Sequence, residues 1–225
     1  MAWSRRNGLT KTEYITDATL TAFNNNGNLL LVMVGWADAG QWGNPDHVYY
    51  NGLEMELVCG VEDWDVGPNQ YYGCSIWEMI GAPQGSHNIE VDCGANIRRC
   101  WHAQSYGGIL SRRGEDTFID NLSTILTLNQ PSLAGDLVVG IGGYQAFENA
   151  WKNWTEGANQ FSLMYHGRLD GVDNRQDAEF SVSDELAVGN PTTISWTIHE
   201  QRDIVIATVA YRPVLGGVPA PRWFF

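Results

Sequence analysis

The sequence predicts an all-β fold, an antiparallel jelly-roll β-sandwich carrying a weak internal duplication. Three observations lead there: strict period-two alternation in several segments, an aromatic-rich and glycine-rich composition, and two similar strand series about 105–107 residues apart. Aromatic residues make up 12% of the 225 positions and glycine occupies 25, which suits pleated half-buried surfaces joined by tight turns. Hydrophobic residues reach 44% and charged residues only 17%, so the chain can bury a core and is not a disordered polyelectrolyte.

Taken in order, Leu29–Val34 is apolar on both faces and reads as a central strand, bounded before by the turn Asn25-Asn26-Gly27-Asn28. In Ser75–Ile80, the side chains of Ile76, Glu78 and Ile80 share one face while Trp77 and Met79 take the other. Asn88–Cys93 alternates cleanly, with Ile89, Val91 and Cys93 inward and Asn88, Glu90 and Asp92 outward. Thr193–Ile198 repeats that pattern with hydroxyls outside, and Ile204–Ala210 is again apolar on both faces. Gly67-Pro68-Asn69, Ala82-Pro83-Gln84-Gly85 and Gly189-Asn190-Pro191 carry turn chemistry between the runs. No stretch sustains a helical period, apart from a turn within Gln145–Trp154.

The duplication pairs Asn28–Trp36 with Gly135–Gly143, each after a threonine-containing strand, Thr19–Thr21 and Thr124–Thr127. It also pairs His87–Val91 and Arg98–Tyr106 with Thr192–Trp196 and Ile204–Tyr211. Two interleaved sheets in one sandwich account for this, since each half alone would leave bare edges. Two tandem sandwiches meeting near Arg112–Asp116 are the alternative. The expected organisation is an N-terminal arm at 1–12, a sandwich at 13–213 and a Gly/Pro/aromatic tail at 214–225.

The net charge of −13, from 26 acids against 13 bases, repels phosphate backbones and argues against nucleic-acid binding. Local basic patches remain conceivable only at Arg5-Arg6, Arg98-Arg99 or Arg112-Arg113. No apolar signal core follows Met1–Gly8 and no run approaches the roughly 20 residues of a membrane span, so cytoplasmic synthesis without membrane insertion is expected. Cys59, Cys74, Cys93 and Cys100 are expected as buried thiols, Cys93 and Cys100 being the pair to check for a bridge.

The block Val48–Val58, with Val48, Tyr50, Asn51, Gly52 and Met55, resembles a V-x-Y-N-G-x-x-M strand-turn-strand of phage and bacterial surface-type β-sandwiches. The stretch Ile76–Val91, through Trp77, Pro83, Gly85 and His87, is similar to the strand and turn that follow it there, and Ile198–Pro213 looks like the closing strand. The resemblance spans residues 18–213 and implies a lectin-like jelly roll from a virion or surface protein. It names no active-site residue.

Catalytic chemistry finds little footing. Glu54 and Glu56 lie two apart and are expected on one strand face, yet lack the surroundings of a glycosidase pair. The acidic runs Glu62–Asp65 and Asp170–Asp173 offer oxygens that calcium could use, but neither completes a calcium loop, so no cofactor is expected. The five histidines, at 47, 87, 102, 166 and 199, show no zinc spacing. Binding rests instead on aromatics. Trp36, Trp42, Trp64, Tyr71, Tyr72, Trp151 and Trp154 fall in or near expected loops, as partner contacts, as a glycan platform, or folded back into the sandwich. At the ends, Trp3, Arg5, Arg6, Trp223, Phe224 and Phe225 are expected to contact a neighbouring subunit. Together with the resemblance, these features imply a non-enzymatic bacteriophage capsid decoration (cement) protein on the outer virion surface. Its partners would be the major capsid protein and further copies of itself, a trimer being favoured. The alternative is a glycan-binding module of a tail fibre.

Overall fold

A computed structural model of the chain describes residues 3–14, 20–38, 45–65, 70–93, 98–146, 154–169 and 177–214. The described residues form β1 (Ser4–Tyr14), β2 (Thr21–Asn25), β3 (Leu29–Asp38), β4 (His47–Tyr50), β5 (Leu53–Glu54), β6 (Glu56–Asp65), β7 (Gln70–Ile80) and β8 (Gly85–Asp92). They continue with β9 (Arg98–Gly107), β10 (Ile109–Gln130), β11 (Leu137–Ala146), β12 (Thr155–Glu156), β13 (Phe161–Leu169), β14 (Asp177–Leu186) and β15 (Thr192–Pro213). The expected arm at 1–12 is therefore largely β1, whose backbone pairs with β9 from Ser4 to Tyr14.

Three antiparallel sheets result. The order is β1-β9-β3-β7-β6 in the first, β2-β8-β4-β5 in the second, and β10-β15-β11-β14-β13 in the third, where β12 also pairs with β15. The two runs that are apolar on both faces lie inside their sheets, β3 between β9 and β7, and Ile204–Ala210 of β15 between β10 and β11. From β3, Leu29, Leu31 and Met33 enter a core shared with the third sheet, while Leu30, Val32, Val34 and Trp36 pack towards the second. A further core joins Val138, Ile204 and Ile206 to Leu126, Ile194 and Trp196, so the long strands β10 and β15 curl over their own sheet. The register shifts around Asp120–Ile125 sit at that bend.

The alternation expected in β7, β8 and β15 holds. Ile76 joins the shared core and Trp77 the opposite one, Ile89, Val91 and Cys93 point inward, and Ile194, Trp196 and Ile198 line the curled core. The turn in the Val48–Val58 block is a tight Asn51-Gly52 hairpin with both residues at positive φ, 55° and 70°, the geometry that asparagine and glycine accept most readily.

The strand orders repeat. In the first sheet Leu29 lies opposite Tyr106 and Ile80; in the third, Leu137 lies opposite Tyr211 and Leu186. Bulges repeat too, after Arg5 and Arg112 in the edge strands, and after Leu57 and Ser162 in the strands at the far edges. These two sheets face each other across the shared core. There the Phe180 ring lies against Gly35 of the opposite sheet and Gly143 of the neighbouring strand, and a Cβ at either position would overlap it. Gly35→Ala is accordingly expected to destabilise the protein by about 1–3 kcal/mol, the cost of overpacking a full core, read as a lower denaturant midpoint at unchanged slope.

Candidate functional site

The face between the two repeats carries polar groups that neither sheet could accommodate alone. Arg5 donates from Nε to Asp184 Oδ2 at 2.7 Å and from Nη2 to Oδ1 at 2.5 Å. Tyr106 donates its hydroxyl to the same carboxylate at 2.9 Å, and the Asp184 side chain is 0% exposed. The equivalent positions of the other repeat reverse the donor and acceptor sheets. Tyr211 donates to Glu78 Oε2 at 2.6 Å, and Arg112 Nη1 stands 3.4 Å from Glu78 Oε1. Arg5 lies 3.8 Å above the centroid of Phe161, whereas Arg112 bonds Glu56, which occupies the matching place in β6, at 2.7 Å. Two arginine–carboxylate–tyrosine triads thus tie the sheets together in a two-fold arrangement.

Burial, and then the neighbouring carboxylate, pushes the pKa of Tyr106 and of Tyr211 well up, so both remain donors. Burial also raises Glu78, against the pull of the Tyr211 hydrogen bond and Arg112. The expected basic patches are largely spent in this way: Arg113 pairs with Asp136, and Arg99 is 1% exposed.

The two ends of the interface differ. At one end β6 closes against β10 and β15, with Val58, Cys59 and Val61 packed on the shared core. Cys59 Sγ there reaches the Thr208 carbonyl at 3.7 Å. At the other, β13 stands off from β1 and β9 and leaves an open cavity of about 390 Å³. Its floor is polar. His102 is 4% exposed, shares a 2.8 Å hydrogen bond between Nδ1 and the Thr10 hydroxyl, and stands 3.4 Å from Gln104 Oε1. Burial pushes the imidazole down to about 4, only partly offset by Gln104, so the ring is neutral near pH 7. In the closed seam the positions matching His102 and Gln104 are Ala207 and Val209, because Met33 and Leu31 of the first sheet match Ile141 and Val139 of the third.

The aromatics expected to reach partners or glycans divide. Trp36, Tyr72 and Trp154 take the third of the expected places, folded back into the cores at 1%, 0% and 2% exposed, and so are not partner or glycan contacts: Trp36 and Tyr72 lie inside β3 and β7, and Trp154 immediately before β12. Tyr72 donates to Asp63, and Trp154 donates to Glu179 and stacks edge-on against Trp196. Tyr71 is half-buried in β7, and Trp64 lies in β6. Trp3 is partly buried, edge-on to Tyr106 at 5.9 Å, Arg5 is held by Asp184, and Arg6 is exposed. Trp42, Trp151, Trp223, Phe224 and Phe225 lie outside the described residues, as does Asp170–Asp173.

Glu54 and Glu56 do not share a strand face. Met55 is buried between them, Glu54 ends β5 beside His47, and Glu56 opens β6 beside Arg112. No group of three or more potential metal ligands occurs among the described residues. All four cysteines are free thiols. Cys93 and Cys100 point into different cores, and burial raises them to about 11 and about 12.

One apolar edge stays wet. β10 is the outermost strand of the third sheet, and Leu110, Phe118, Ile119 and Ile125 along it are 40–53% exposed. Sequence reasoning missed both this edge and the cavity. The cavity had a readable signal, since His102 and Gln104 alternate with the buried Trp101 and Ala103 on one strand. Comparison with protein-family models, curated proteins and solved structures returned no match to this chain.

Proposed function

We propose that the protein is a structural component of a bacteriophage virion, an outer capsid decoration protein that binds and stabilises the major capsid lattice. The observation that carries this reading is the β10 edge, where apolar side chains and a strand with one unpaired side face water together. Such edges are templates for another chain, and a free monomer would normally blunt them. Binding only the assembled lattice would stabilise the shell by mass action, and assembly of three copies would add avidity. The acidic balance, −13 overall, keeps closely spaced bodies soluble. A jelly-roll reading of the first repeat is supported by the orders β1-β9-β3-β7 and β2-β8-β4-β5, between which the chain passes back and forth.

Immunogold labelling of source particles tests the location: label spread over the head supports decoration, and label at the tail tip or on no particle overturns it. Phe118→Asp is expected to reduce occupancy on purified heads at least about tenfold, as the loss of an apolar anchor does at an interface. Its midpoint of thermal unfolding should stay near that of the wild type, because Phe118 is 43% exposed.

A further inference from the structure

We infer that the regular part of the β10 edge takes up one extended strand of a partner protein, in which an apolar side chain stands between two basic ones at every second position. The inference rests on the reading that this edge is covered by another chain, and it specifies what that chain presents. β10 pairs with β15 without interruption from Gly114 to Asp120, between register shifts at Arg112/Gly114 and Asp120/Ser123. Among the described residues no strand pairs with its other side. The irregularities at both ends confine further pairing to this stretch, and a strand added there meets side chains that alternate between two faces.

One of these faces sets the chemistry. Asp116, Phe118 and Asp120 lie opposite Thr208, Ile206 and Ile204, and so share the side on which Ile204 and Ile206 enter the curled core. Thr117 and Ile119, opposite Ala207 and Val205, share the other side. The row acid–aromatic–acid is complementary to a row basic–apolar–basic on a neighbouring strand, because opposite charges facing across a sheet attract and like charges repel.

The same row disfavours a second copy of this chain. The antiparallel register that sets Phe118 against Phe118 would set Asp116 against Asp120 twice, between molecules that each carry a net charge of −13. The arginines of β10 do not offset this, since Arg112 is held by Glu56 and Glu78 and Arg113 by Asp136. Charges of one sign are a common guard against edge-to-edge pairing. A guard alone, however, gains nothing from an exposed Phe118 and Ile119 at its centre. The acids keep copies apart while the apolar pair rewards a strand of the opposite sign.

The test is titration of the full chain, ¹⁵N-labelled, with three peptides at low salt. Ser-Thr-Lys-Val-Phe-Val-Lys-Thr-Ser carries the alternating row, and a second peptide replaces both lysines by glutamate. Ser-Thr-Lys-Lys-Phe-Val-Val-Thr-Ser keeps the composition of the first and breaks the alternation. The first is expected to shift the amides of Gly114–Asp120 with millimolar affinity or better, and to slow hydrogen exchange at those pointing away from β15. The glutamate peptide should bind at least about tenfold more weakly, and the peptide of broken alternation at least about threefold. Asp116→Asn combined with Asp120→Asn should bring the lysine and glutamate peptides within about twofold of each other. The inference is overturned if the three peptides bind alike, if exchange at those amides stays fast, or if the double variant keeps the preference. Self-association of the free chain that Phe118→Asp abolishes would also overturn it, by making a second copy the occupant. Peptide binding without label on heads would leave this strand site standing and remove the capsid reading; label on heads without peptide binding would do the reverse.

Discussion

Asp184→Ala is expected to destabilise the protein by about 3–5 kcal/mol, the cost of breaking a buried pair by deleting one partner. The carboxylate is 0% exposed and accepts from both Arg5 and Tyr106. Its loss leaves a part-buried guanidinium and a fully buried hydroxyl without their shared acceptor. At roughly 2–4 °C per kcal/mol for a chain of this size, the thermal midpoint should fall by about 10 °C. The matching change in the other triad, Glu78→Ala, should cost less, because Arg112 also reaches Glu56 at 2.7 Å and Glu115 at 3.7 Å. Calorimetry on the two variants decides the matter. Equal, small losses from both would mean that the triads follow from the packing instead of fastening it.

His102 gives the second large effect, and it depends on pH. Its folded-state pKa is about 4 against 6.5 for an ordinary imidazole, so the unfolded chain takes up the proton first as the solution is acidified. Stability is therefore complete above pH 6.5, falls between 6.5 and 4, and levels off below. The full loss is about 3 kcal/mol, at about 1.4 kcal/mol per pKa unit. Carboxylates titrate in the same window, Glu78 in the opposite sense because burial raises it and its ionisation costs stability as pH rises. The comparison that isolates His102 is wild type against His102→Asn, by urea unfolding near pH 7 and near pH 4.5. The wild type should lose about 2–3 kcal/mol more than the variant on acidification; parallel curves would show that the ring is already accessible to protons.

Where a residue's surroundings lie on its own strand or on the neighbours of that strand, the sequence was readable. Ile89, Val91 and Cys93 declared an inward face by alternation alone, and the two-sided apolar runs at Leu29–Val34 and Ile204–Ala210 declared interior strands. The repeat was visible because the same sheet is built twice. The triads were not visible, because an arginine near the amino terminus gives no sign that its acceptor lies in β14. Trp36, Tyr72 and Trp154 were placed in or near expected loops, yet they sit within or beside strands with their rings in the cores. Glu54 and Glu56 were separated by a switch of sheets at Met55, which spacing by two does not reveal.

The bond between Arg5 and Asp184 joins residues 179 positions apart. β1 is made well before the carboxylate that fastens it, which follows 179 residues later. Until then β1 can pair only with β9, and the face bearing Tyr106 stays open to solvent and to other nascent chains. The fastening of β1 is consequently completed only by a residue of β14. Slow, late consolidation is expected of folds dominated by such distant pairings. A chain ending before β14 would hold β1 through its pairing with β9 alone, without the carboxylate that fastens Arg5 and Tyr106.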